Sequence, residues 1–282
     1  MKPRASFRDL LAGSQKPVVL PGVYNAFTAK QAAAMNFSGL YLSGAALSNS
    51  LGVPDNGTLG LDEFAWLGRW IVQAVDLPVL CDADTGFEDI EVTIRRYIET
   101  GFAGIQIEDQ VFPKRCGHLQ GKEVVPAEEM VSRLKQAVAV RNAMAPDFLI
   151  VARTDARGAD NVDVGGQLDE CIDRGNRYRE AGADVIFPEA LKDENEFARV
   201  RKEVAGPLLA NMTEFGQTPL MGAREFSRLG YDFVIFPVSL FRFHAGCTKR
   251  FFSTLSKEGS QESRLSEMMN RKEINGILNY EP

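Results

Sequence analysis

Short apolar runs recur along the chain at 18–24, 39–47, 78–84, 104–108, 148–155, 185–189, 207–214 and 233–240, each rich in Val, Ile, Leu or Phe, and most close on polar residues. Runs of this length and composition read as strands buried on both faces, as in parallel sheets. The segments between them, such as 62–75, 89–100, 128–141, 167–181 and 193–204, carry apolar positions at helical period, and several are followed by glycine. Eight alternating strand and helix units predict a closed (β/α)8 barrel of TIM type, with an open doubly wound sheet as the alternative. A short amphipathic helix over 6–11, ended by Gly13, precedes the first strand. The tail beyond Gly259 reads as one or two further helices. No linker, low-complexity tract or charge run divides the chain, so residues 1–282 are expected to form one barrel domain with a helical tail over about 260–282.

Two connections, 48–60 and 111–127, are longer than a crossover requires. Both follow strand C-termini, the end of such a barrel where catalytic groups gather. The second holds Lys114-Arg115-Cys116-Gly117-His118, with two cations, an imidazole and a flexible glycine around one thiol. That setting lowers a cysteine pKa and makes Cys116 a candidate acid, base or nucleophile; the plainer reading is a surface loop with a chance cysteine.

In Cys81-Asp82-Ala83-Asp84-Thr85-Gly86 the two aspartates fall on one face of an extended strand. Carboxylates that close repel, and a cation between them is the natural remedy. An all-oxygen pair suits Mg²⁺ or Mn²⁺ better than zinc, and Asp55 and Glu108 could complete the shell through water; a solvated Asp-x-Asp turn is the alternative. Gln106 and Glu108 share a face by the same period, whereas Asp109 points the other way. Arg153, at the end of the fifth strand, must meet Asp155, another acid or a ligand anion, because an unpaired guanidinium inside a barrel is costly.

Composition narrows the partners. With 282 residues, 45% hydrophobic and 25% charged, the chain is that of an ordinary globular protein, and a net charge of −6 argues against nucleic acid. Cys81, Cys116, Cys171 and Cys247 form no C-x-x-C pair, so neither a zinc site nor a disulfide framework is expected, and a reducing cytosol fits best. Neither a signal peptide nor a stretch of about 20 apolar residues is present, so a cytoplasmic protein without membrane association is expected.

The motifs YLSGAAL, LGVPD, CDADTG, IEDQ, KRCGH, ARTDA, FPEA, NMTEFG and FPVSLFR, in that order between about residues 7 and 280, resemble the isocitrate lyase and phosphoenolpyruvate mutase superfamily. Within it the chain is most similar to the lyases acting on 2-methylisocitrate. The resemblance implies a barrel whose C-terminal helix is exchanged between subunits of a dimer or tetramer. It implies metal ligation by Asp82 and Asp84. Substrate contacts are implied for Ser43, Gly44, Ala45, Cys116, Gly117, Arg153, Glu189, Asn211, Met212, Thr213, Arg242 and Arg271. The implied reaction is Mg²⁺-dependent (or Mn²⁺-dependent) retro-aldol cleavage of a tricarboxylate to pyruvate and succinate. Cys116 would be the general acid, and Tyr41, Asp55 or a metal-bound water the base. Two departures stand out: Gln106, where many members carry histidine, and Glu88, where many carry glycine. The only histidine beyond the loop, His244, reads as structural. Rival readings are carboxyphosphonoenolpyruvate mutase, 2,3-dimethylmalate lyase, isocitrate lyase, and a non-catalytic dicarboxylate-binding barrel.

Overall fold

The computed structural model describes residues 6–115, 117 and 121–281. Cys116 and His118, central to the sequence reading, lie outside the described residues. The strands are β1 (Val18–Val23), β2 (Leu40–Leu42), β3 (Val79–Asp82), β4 (Gly104–Glu108), β5 (Leu149–Thr154), β6 (Val185–Pro188), β7 (Leu209–Asn211) and β8 (Phe233–Phe236). The helices are α1 (Phe7–Ala12), α2 (Ala26–Ala34), α3 (Gly44–Ser50), α4 (Leu61–Ala74), α5 (Ile90–Thr100), α6 (Ala127–Met144), α7 (Gln167–Glu180), α8 (Glu194–Glu203), α9 (Ala223–Leu229), α10 (Ser239–Glu258) and α11 (Arg271–Leu278).

All strand pairs are parallel, in the order β6-β5-β4-β3-β2-β1-β8-β7. The ends of that order meet where Ile186 N–H donates to Pro207 O at 3.0 Å and Ile186 bridges Leu208. The fold is therefore the predicted (β/α)8 barrel.

Alternation along each strand divides the apolar residues into two layers. Ile105, Ile107, Ile150, Ala152 and Ile186 face outward and pack against the helices. The helices answer with stripes at helical spacing, such as Ile90, Ile94 and Tyr97 on α5, which Asp89 caps by accepting from Glu91 N and Val92 N and which ends at left-handed Gly101. Leu20, Leu80, Leu149, Val151, Val185 and Leu209 face inward. Phe7 of α1 joins this inner cluster, with its ring edge-on to Phe233 at 5.9 Å. The strand N-terminal end of the barrel is thus plugged with apolar side chains, and polar chemistry is left to the other end.

Several predicted strands were too long. The run 39–47 is a short strand followed by α3, whose N-cap Ser43 accepts from Ala46 N at 3.2 Å. The run 233–240 ends as a strand at Phe236, and α10 begins at Ser239; the run 207–214 keeps only Leu209–Asn211. A continuous apolar run does not distinguish a strand from the buried first turn of the helix that follows it. In the tail, α11 lies on α2 of its own chain, where Gln31 Nε2 donates to Met269 Sδ at 3.7 Å. Among the described residues no helix is long and apolar enough to cross a membrane.

Candidate active site

The C-terminal ends of β3, β4, β5 and β6 deliver a buried cluster of charge. Asp82 closes β3, Glu108 closes β4 opposite Arg153 in register, and Glu189 follows β6. Asp82 and Asp84 do come together, but not by strand alternation. The strand ends at Asp82, and Asp84 turns back through a left-handed backbone conformation, φ +47°, while its N–H donates to Asp82 Oδ1 at 3.2 Å. A non-glycine residue held there is unfavourable by itself, a form of strain that tends to collect at functional sites.

Lys114 reaches into this group from the 111–127 connection. Its ammonium donates to Asp55 Oδ1 at 2.5 Å and stands 2.8 Å from Asp84 Oδ1. Burial alone would pull the Lys114 pKa down; Asp84, Glu108, Asp55 and Asp82 overcome that and push it well above its ordinary value. The acids are raised as well, but by burial itself. Burial raises Asp82 and raises Asp84 to about 6, with Lys114 opposing both, and burial pushes Glu108 well up against the pull of Arg153.

Arg153 is the second cation. Nε and Nη2 donate to Asp155 at 2.8 and 2.9 Å, while Nη1 faces Glu108 Oε2 at 3.1 Å and Glu189 Oε2 at 3.6 Å, and the guanidinium lies over the Phe187 ring at 5.3 Å. Asp155 also accepts from Lys122 Nζ at 3.1 Å, and the same ammonium donates to Gly117 O at 2.9 Å. Burial would raise the Asp155 pKa, but Arg153 and Lys122 hold it well below the usual carboxylate range. A Cβ at Gly117 would sit 2.2 Å from Arg153 Nη2 and 2.6 Å from Glu189 Cγ, so only glycine lets the loop backbone approach the arginine this closely.

The remaining expected residues divide. Gly44 N–H donates to Asp82 Oδ2 at 3.2 Å, and a Cβ there would crowd that carboxylate. Asn211 Nδ2 donates to both oxygens of Glu189, at 3.3 and 3.0 Å, and Thr213 Oγ1 donates to Asn211 Oδ1 at 2.9 Å. Ser43 spends its hydroxyl on the α3 cap, and Ala45 packs beside Tyr24 and Val238. Met212 turns its side chain into the strand-helix layer, where its sulfur accepts from Met221 N at 3.3 Å. Arg242 lies on the first turn of α10, pairs with Glu214 Oε2 at 3.2 Å and covers Phe215. Arg271 is exposed at the start of α11, and among the described residues no hydrogen bond or ion pair ties it to the cluster. His244 accepts or donates at Nδ1 to Tyr24 OH at 2.6 Å, a structural contact.

The base role expected for Tyr41 does not suit its surroundings. The phenol is buried and donates to Gln106 Oε1 at 2.7 Å, and burial, aided by Asp82, pushes its pKa well above the ordinary value, so it stays protonated. Asp109 faces away as expected, accepting from Arg174 Nη1 and Tyr178 OH at 3.1 and 2.7 Å and from Asp155 N at 2.8 Å. Lys122 is not marked in the sequence, because a lysine is ordinarily a surface residue and nothing local distinguishes one that will be buried.

Among the described residues no group of three or more His, Cys, Asp or Glu forms a ready-made metal cage. The donor set nevertheless suits a hard cation that keeps water and substrate oxygens in its shell. Glu108 Oε1 is a buried carboxylate oxygen with no hydrogen-bond partner among the described residues, and Asp84 Oδ1, also buried, faces the Lys114 ammonium as an ion pair at 2.8 Å.

Fold and site define a (β/α)8-barrel enzyme with a carboxylate-rich mouth. The chain belongs to the phosphoenolpyruvate phosphomutase family, whose model matches residues 7–255. It is 43% identical over 282 residues to the 2-methylisocitrate lyase of Aeropyrum pernix, covering 99% of this chain and 88% of that one. It is 39% identical over 285 residues to the 2,3-dimethylmalate lyase of Eubacterium barkeri, covering 100% and 96%. Among solved structures, oxaloacetate acetylhydrolase with 3,3-difluorooxalacetate matches at a TM-score of 0.90 and 29% identity, covering 98% and 93%. Phosphonopyruvate hydrolase with oxalate and Mg²⁺ matches at 0.85 and 26% identity, covering 99% and 95%.

Proposed function

We propose that this chain is a lyase that cleaves 2-methylisocitrate to pyruvate and succinate. The observation that carries the reading is the buried constellation of Asp82, Asp84, Glu108 and Arg153 on adjoining strand ends, in a chain 43% identical to a 2-methylisocitrate lyase over nearly its whole length. Asp82 and Asp84 would hold Mg²⁺ or Mn²⁺, with Asp55 and Glu108 in the outer shell. When bound, the cation supplies a Lewis acid for the hydroxyl and oxo oxygens of the substrate.

The chain's own residues do the rest. Asp155 holds one edge of the Arg153 fork and so aims its remaining Nη1 edge, toward Glu108 and Glu189, at a substrate carboxylate. Gly117, Asn211 and Thr213 add neutral contacts, and Arg242 serves a second carboxylate from the rim. With the Tyr41 phenol buried and donating to Gln106, the hydroxyl proton is assigned to Asp55 or to a water that the cation would hold. The carbon–carbon bond then breaks, its electron pair passes to the succinate half as an enediolate that Arg153 stabilises, and the oxo group of pyruvate forms. Cys116 is proposed, on the sequence of its loop, to return a proton to that carbon. The apolar side chains left exposed on α10 and the tail, Phe243, Phe252, Leu265 and Leu278, support an oligomer.

The experiment is a panel: purified protein with Mg²⁺ and 2-methylisocitrate, isocitrate, 2,3-dimethylmalate, oxaloacetate or phosphonopyruvate, with pyruvate and succinate quantified. Release of both from 2-methylisocitrate, far faster than turnover of the others, is expected. Preferred turnover of 2,3-dimethylmalate would transfer the assignment to that substrate, in line with the E. barkeri relative.

A further inference from the structure

Three buried side-chain polar atoms lack a hydrogen-bond partner among the described residues: Asp84 Oδ1 just beyond β3, Glu108 Oε1 at the end of β4 and Gln106 Nε2 in the middle of β4. Two are acceptors and one is a donor. The Lys114 ammonium already stands 2.8 Å from Asp84 Oδ1, so what the set still calls for is positive charge beside Glu108 and an oxygen for the amide, as a 2-oxo or 2-hydroxy acid accompanied by a divalent cation supplies. Gln106 is 0% exposed, so bulk water does not serve its amide. Its other end is fixed, because Tyr41, itself buried, donates to Gln106 Oε1 at 2.7 Å. Turning the amide end for end would add one more acceptor to a neighbourhood that already holds Asp82, its register partner, and Glu108. An amide N–H left without an acceptor in such a place is costly, which makes it a receptive site for a ligand oxygen.

We propose that Gln106 is a substrate-binding residue whose Nε2 donates to an oxygen of the 2-hydroxy acid end of the substrate, the end that leaves as pyruvate, and that Tyr41 is the positioning residue that aims it. The proposal rests on the lyase reading above and deepens it. Succinate, the other product, carries no 2-oxo or 2-hydroxy group and gains nothing from this donor. Gln106 is neutral, so the contact does not depend on a proton being bound at that position.

The test measures equilibrium binding of pyruvate and, separately, of succinate to the Mg²⁺-supplemented protein, in wild type, Gln106→Met, Tyr41→Phe and the double variant. Gln106→Met is expected to weaken pyruvate binding about tenfold to a hundredfold, the range for an unmade hydrogen bond to a charged ligand, and to leave succinate binding unchanged. Tyr41→Phe is expected to cause a smaller loss in the same direction. The double variant should bind pyruvate no worse than Gln106→Met, because the two residues act as one unit. Equal weakening toward both products would overturn the proposal, showing that the amide only maintains the core. Unchanged pyruvate affinity in folded Gln106→Met would also overturn it, leaving the amide to an internal water. Should Gln106→Met not fold, Tyr41→Phe decides alone: an unchanged preference for pyruvate overturns the inference. Wild type that binds pyruvate through Gln106 but releases none from 2-methylisocitrate upholds this contact and sinks the substrate assignment. Cleavage of 2-methylisocitrate together with Gln106-independent pyruvate binding does the reverse.

Discussion

Replacing Asp155 with asparagine tests the electrostatic organisation of the site most directly. Asp155 is wholly buried and accepts three charge-assisted hydrogen bonds, from Arg153 Nε and Nη2 at 2.8 and 2.9 Å and from Lys122 Nζ at 3.1 Å. Asparagine preserves the shape and removes the charge. Arg153 would keep Glu108 and Glu189 beside Nη1, but Lys122, equally buried, would face the neutral carbonyls of Gly117 and of the new asparagine in place of a carboxylate. Breaking a buried ion pair by deleting one partner costs about 3–5 kcal/mol, and Asp155→Asn is expected to lose that much. This is a large share of the roughly 5–15 kcal/mol that holds a typical domain together. Urea denaturation of the two proteins at pH 7 measures the gap. Its pH dependence supplies a second check. The folded Asp155 pKa is depressed, so the stabilisation is complete above the unfolded carboxylate value, about 3.9, and is lost as the pH falls below it. The gap between wild type and Asp155→Asn should therefore be constant from pH 7 down to about 5 and shrink toward pH 3. A loss under about 1 kcal/mol, or a gap that is unchanged at pH 3, would refute the reasoning.

Arg153→Lys keeps the charge but not the two-pronged grip, and is expected to lower kcat/KM by about 10²-fold or more in a folded protein; near-normal steady-state kinetics would return Arg153 to a structural role. Cys116→Ser should lower kcat by about 10²–10⁴-fold while substrate still binds, and the wild-type reaction in D₂O should place one deuterium stereospecifically on succinate. Full turnover in that variant, or unlabelled succinate, would remove the thiol from the proton transfer. Chelation by EDTA is expected to abolish pyruvate release without changing the far-ultraviolet circular dichroism, with Mg²⁺ or Mn²⁺ restoring it; undiminished turnover in excess EDTA would exclude the metal role given to Asp82 and Asp84.

The sequence alone determined the architecture, because strand and helix periods are local and eight of each in alternation leave few closed arrangements. It put Gln106 and Glu108 on one face with Asp109 on the other, and Arg153 inside the barrel at a strand end, since period-two alternation is itself a local rule. It did not locate where 39–47 and 233–240 change from strand to helix, because an apolar run has no period that separates the two.

Only the tertiary structure decided how the charges pair. Asp84 joins Asp82 through a left-handed turn instead of a pleat, and Lys114, from a different connection, inserts its ammonium between Asp84 and Asp55. Lys122 is buried against Asp155, 33 positions away in the chain. Tyr41 is bound to Gln106 across 65 positions, which changes it from a candidate base into a hydrogen-bond donor. Such partners are chosen by the register of neighbouring strands and by what the barrel leaves unsolvated. A side chain's protonation and role depend on that enclosure, which no local pattern encodes.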